Sequence, residues 1–180
     1  MSAFLVPAFG QELIRNGDFE DSLAFWNVTY NNVQGTWGAA TSAAYDSDPD
    51  NEVCVYKAYR YSTRACQTID VSSTRLRFAG SARLQALVGT TSGYHAYAAV
   101  SLEYLDSADT VLGRTMVIKK TPNCTLQNTA TQRLIPVAGS EWVDYELDVE
   151  REIESLPGVN PNDIAGISVV LETYGNGSTG

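Results

Sequence analysis

His95-Ala-Tyr-Ala-Ala-Val-Ser-Leu-Glu-Tyr104 sends Val100, Leu102 and Tyr104 to one side of an extended chain and His95, Tyr97, Ser101 and Glu103 to the other. A helical period would scatter both sets around a cylinder, so this stretch reads as a strand with one apolar face. Arg75-Leu-Arg-Phe-Ala-Gly-Ser-Ala-Arg-Leu-Gln85 repeats the pattern, with Leu76, Phe78, Gly80, Ala82 and Leu84 facing one way and Arg77, Ser81, Arg83 and Gln85 the other. Working outward, residues 53–59, 65–71, 111–118, 142–149 and 164–174 read as further strands. Turn-forming clusters separate them at residues 46–51, 71–74, 89–93, 106–109 and 156–158. Residues 149–156 form a single helical turn halted by Pro157. About eight short strands with one apolar face each predict an all-β domain, a two-sheet antiparallel sandwich of jelly-roll type.

The 180 residues suit one domain with its own core, and their composition narrows the company it keeps. A net charge of −9, from 21 acidic and 12 basic residues, disfavours nucleic acid and favours cations. A single histidine excludes imidazole-rich zinc sites. The three cysteines form no CxxC pair, which removes thioredoxin-type and metal-cluster chemistry. Asn27-Val-Thr, Asn123-Cys-Thr and Asn176-Gly-Ser fit the glycosylation acceptor pattern and point outside the cell. No apolar run is long enough to span a membrane. Residues 1–11 are apolar and stand apart from a domain over residues 12–180; they are either the remnant of a secretory signal or an apolar arm with its own role.

The opening Glu12-Leu-Ile-Arg-Asn-Gly-Asp-Phe-Glu-Asp-Ser-Leu-Ala-Phe-Trp-Asn27 resembles the start of jelly-roll carbohydrate-binding modules of the galactose-binding-like fold. Their rhythm continues in Gln67-Thr-Ile-Asp-Val71, in the strand Leu76 to Ala82, in Val100 to Asp106, in Trp142 to Tyr145 and in Ile167 to Leu171. The resemblance implies a β-sandwich and a structural calcium near Glu20, completed in such modules by an Asp on a closing strand. Here the chain stops at Gly175-Asn-Gly-Ser-Thr-Gly180, so the closing C-terminal strand is expected to be missing.

Four groups of residues are candidates for function. Asp18 and Glu20, on the same side of an extended segment beside a turn pair, offer oxygen ligands to Ca²⁺ or form a solvated turn. Asp46, Asp48 and Asp50 alternate along an acidic turn that lacks the Gly and Glu of an EF-hand, and the same two readings apply. His95, Tyr97 and Glu103, with Arg77, Arg83 and Gln85 if their strands are neighbours, combine aromatic faces and polar groups suited to a sugar. Tyr56, Tyr59 and Tyr61 make a second aromatic group, while Trp26 and Trp142 follow the core face. Cys54 and Cys66 stand symmetrically about Arg60, which predicts a cross-strand disulfide in a hairpin-like pair. His95 and Glu103 lie about 27 Å apart along one strand, too far for joint acid–base work, and no nucleophile elbow or phosphate loop occurs. The expected function is a secreted, non-catalytic, calcium-stabilised carbohydrate-binding module. The alternative is a subunit of an extracellular fibre or tube, joined to copies of itself by strand donation from the N-terminal arm.

Overall fold

In a computed structural model, which describes residues 3–7, 12–31, 35–43, 50–87 and 93–177, the chain is mostly β. Eleven strands appear among the described residues: β1 (Ala3–Pro7), β2 (Asn27–Tyr30), β3 (Trp37–Ser42), β4 (Glu52–Lys57), β5 (Arg60–Asp70), β6 (Leu76–Arg83), β7 (Ala96–Leu105), β8 (Val111–Lys120), β9 (Gln132–Pro136), β10 (Trp142–Asp148) and β11 (Gly166–Asn176). The predicted helical turn is α1 (Val149–Glu154), started by Asp148, whose carboxylate accepts from the Arg151 N–H. Seven strands lie where alternation predicts them. β2, β3 and β9 were not foreseen, being short and mostly polar or small, with no strong apolar alternation to announce them.

The strands form a six-stranded sheet in the order β2-β5-β11-β7-β8-β9, a three-stranded sheet in the order β1-β6-β10, and the pair β3-β4. The expectation of antiparallel pairing throughout fails at one place. β9 runs parallel to β8, because the chain makes a crossover between them through residues 121–131 instead of turning back as a hairpin.

Register explains the core. On β7 the residues Ala98, Val100, Leu102 and Tyr104 face the same way as Leu171, Val169 and Ile167 across from them on β11, and all are buried. Leu76, Phe78 and Ala82 of β6, Leu147 of β10, Val53 of β4 and Val149 and Ile153 of α1 join the same apolar cluster. Each fully buried side chain of this size is worth about 1.5–3 kcal/mol relative to exposure. The predicted faces of β6 and β7 are therefore correct. The face of β7 opposite this core is not solvated, however: Ser101 and Glu103 are buried, and Ala99 joins Met116 and Ile118 in a second cluster roofed by Leu126 and Leu134.

The expected Cys54–Cys66 disulfide is not formed; the structure has no disulfide at any of the three cysteines. Cys54 lies opposite Ala40 on β3, whereas Cys66 lies between Asn27 of β2 and Val170 of β11. The symmetry about Arg60 misled because β4 and β5 belong to different sheets, and only a directly paired position brings two Cβ atoms to bridging distance.

Candidate functional site

The Asn16-Gly-Asp-Phe-Glu20 segment is a series of turns, not the extended segment expected. Asn16, Phe19, Ser22 and Phe25 all adopt positive φ, at 51°, 61°, 56° and 69°. Side-chain bonds hold that unfavourable backbone. The Asn16 amide donates to the carbonyls of Ser22 (2.9 Å) and Ala24 (3.2 Å), and its Oδ1 accepts from the Asp21 N–H at 2.9 Å. The Trp26 indole donates to the Asn16 carbonyl at 3.1 Å, which seats Trp26 against the buried Phe19 ring, 5.1 Å away. Gln67 clamps the neighbouring backbone, accepting from the Arg15 N–H and donating to the Arg15 carbonyl. Trp26 is thus a core residue, as expected.

Of the calcium candidates, Asp18 and Glu20 are exposed. Glu20 accepts from the Asn51 N–H at 2.7 Å and from the Asn51 amide at 3.3 Å, so the first acidic segment meets the end of the second. Asp50 is exposed beside it, while Asp46 and Asp48 lie outside the described residues. Among the described residues no three His, Cys, Asp or Glu side chains converge as a metal-binding group.

A charge network sits on the covered face of the six-stranded sheet. Arg64 of β5 reaches Glu103 of β7 at 2.6 Å and Glu172 of β11 at 3.6 Å, and Arg114 of β8 approaches Glu172 at 3.8 Å while its Nε donates to Gln132 at 2.7 Å. Burial pushes the Glu172 carboxyl above the ordinary carboxylate range, against the opposing pull of Arg64 and Arg114. Burial likewise raises the Tyr97 phenol, whose hydroxyl bonds to Glu172. Two carboxylates facing two guanidinium groups leave this network close to neutral.

At one end of the sheets the molecule holds a cavity of about 600 Å³. Tyr56 and Lys57 of β4, Arg83 and Gln85 at the end of β6, Tyr97 of β7, Trp142 of β10, and Thr173 and Tyr174 of β11 contribute to its wall, between apolar patches from Val53, Leu84, Ala98 and Leu171. The Trp142 Nε1 and the Thr173 Oγ1 are buried without a hydrogen-bond partner. The Tyr174 ring stacks with Tyr97 at 5.3 Å and with His95 at 5.6 Å. Volume, apolar wall and a few convergent polar groups are those of a small-ligand site.

Four of the predicted binding residues, Tyr56, Arg83, Gln85 and Tyr97, meet in this cavity. The others do not. Glu103 is engaged by Arg64, Arg77 pairs with Glu146 at 2.9 Å on the three-stranded sheet, and β6 is not a neighbour of β7. His95 stands at the rim through Tyr174, and Tyr59 lies at the β4–β5 corner with a φ of 89°. Sequence reading missed Lys57, Trp142, Thr173 and Tyr174. Trp142, expected in the core, does pack partly buried against the apolar cluster, and it lines the cavity as well.

No family model matches the chain, and a search of curated proteins found no similar sequence.

Proposed function

We propose that this chain is a non-catalytic, extracellular carbohydrate-binding module, folded as a jelly-roll sandwich. The observation that carries the reading is the 600 Å³ cavity, which combines tyrosine and tryptophan rings with Arg83 and Gln85. Sugars present apolar C–H faces and rings of hydroxyls, and that mixture of surfaces complements both. The sandwich is supported by one apolar cluster that draws on a face of the six-stranded sheet and on both smaller sheets. The resemblance of the opening motif adds the expectation of bound calcium beside Glu20. Binding to a panel of soluble and insoluble polysaccharides tests the reading: retention on at least one, competed by free oligosaccharide, is expected, and retention on none contradicts it.

A second reading has its own observation. The N-terminal arm is a strand, β1, paired antiparallel with β6 from Ala3 opposite Gly80 to Pro7 opposite Leu76. β1 pairs with nothing on its other side among the described residues, so it closes an edge of the small sheet. Given by one copy to the β6 edge of the next, the same strand would build a head-to-tail polymer, the fibre or tube of the alternative. Light scattering of the intact protein and of a variant lacking residues 1–10 separates the two. A polymer that deletion abolishes supports strand donation, and an intact protein that stays monomeric removes it.

A further inference from the structure

We infer that the ligand of this site is an acidic polysaccharide, one whose residues carry uronate carboxylates, laid as a chain across two adjoining pockets; the inference rests on the carbohydrate-binding reading. The first support is continuity. Beside the main cavity is a shallower pocket of about 260 Å³, formed by Arg60, Tyr61, Tyr174, Gly175 and Asn176. Tyr174 is common to both walls, so its ring, beside Tyr97 and His95, stands where a chain passes from one pocket to the next. Two pockets sharing one aromatic divider suit a polymer of rings better than a single sugar.

The second support is charge. The protein carries −9 overall, yet the charged side chains of the two pockets are Lys57, Arg60, Arg83 and Glu172. Glu172 is already met by Arg64 and Arg114, and the exposed guanidinium groups of Arg60 and Arg83 set the sign at the two pockets. Arg83 spends its Nε on the Ser140 carbonyl at 3.0 Å, an anchor that fixes its guanidinium in place. A fixed guanidinium presents paired N–H groups in the geometry a carboxylate accepts. On an acidic protein such a local reversal of sign repels little and selects strongly, because neutral chains gain nothing from it and the remaining surface turns polyanions away elsewhere.

The third support is the corner that frames the smaller pocket. Tyr59 and Tyr61 have φ of 89° and 71°, a conformation bulky side chains rarely adopt. Gly175 lets β11 approach it so closely that a Cβ there would lie 2.3 Å from the Tyr59 carbonyl oxygen. The corner directs Arg60 and Tyr61 to the pocket that Tyr174 shares with the cavity.

The experiment is affinity electrophoresis and titration calorimetry of the full chain against polygalacturonate and alginate, with neutral dextran and xylan and with dextran sulfate as separate arms, at low and at high salt. Retention on a uronate polymer is expected, weakened by salt, and weakened about tenfold by Arg83→Gln and again by Arg60→Gln, each a change at an exposed side chain, with the retained fold checked by circular dichroism. Retention on neutral polymers alone overturns this inference and leaves the carbohydrate-binding reading standing. Retention on none overturns both. Equal retention on dextran sulfate, or uronate binding indifferent to both arginine variants, shows general polyanion adhesion and also overturns it.

Discussion

Asn16 shows how one side chain sets a loop. Its amide and carbonyl oxygen make three hydrogen bonds within the turn series, and its own φ of 51° is one that Asn tolerates better than most residues. Asn16→Ala loses all three bonds and adds backbone strain, so it should lower unfolding free energy by about 2 kcal/mol in urea titrations. The Asn16-Gly17 turn pair and the inward Phe19 were legible in the sequence, but the turn series in place of an extended segment was not, nor was the bond of Glu20 to Asn51, which spans a distance in sequence that no local pattern encodes. Glu172 presents a contest between effects. Its burial in the charge network outweighs the attraction of two arginines and raises its pKa. A carboxyl with a higher pKa folded than unfolded contributes stability below its unfolded value and loses that contribution as pH rises through the folded value. Glu172→Gln, which resembles the protonated form, should therefore gain stability relative to the parent protein between about pH 5 and about pH 7. Paired denaturation curves at the two ends of that range check it; a parent protein that gains on the variant instead would mean the ion pairs prevail.

At the scale of elements, alternation identified β4 to β8, β10 and β11 and assigned the faces of β6 and β7, because burial on one side leaves a period of two in the chain. It gave no access to sheet order. β6 and β7 follow one another in sequence with matching patterns, yet they sit in different sheets, and that separation parts Arg77 from Glu103. The same blindness produced the disulfide expectation across β4 and β5. Where elements close on each other the tolerance is small. Gly175→Ala would place a methyl 2.3 Å from the Tyr59 carbonyl, forcing the end of β11 away from the corner. A loss of about 1–3 kcal/mol is expected by thermal or urea unfolding. The turn series at residues 12–26 and the start of β4 are tied by Glu20 and Asn51, and it is beside Glu20 that the resemblance of the opening motif leads us to propose calcium. Calcium bound there raises the melting temperature by mass action and chelator lowers it. Identical melting curves with calcium and with chelator remove the ion from the account.

Across the whole molecule, one cluster of side chains unites the three sheets, and the cavity opens at the end where that packing stops. The wall residues there come from five separate stretches of chain, so composition showed that tyrosine was plentiful without showing that Tyr56, Tyr97 and Tyr174 line a single space. Its central claim is that this space binds glycan. The most direct measurement is calorimetric titration of the best-retained polysaccharide, cut to oligosaccharides, into the parent protein and into Tyr56→Ala. Tyr56 is exposed at the wall, so its loss leaves the core intact. Saturable binding that weakens about tenfold in the variant, with unfolding curves that overlay, is the predicted result. Equal affinity in both proteins, or no heat of binding in either, would contradict it.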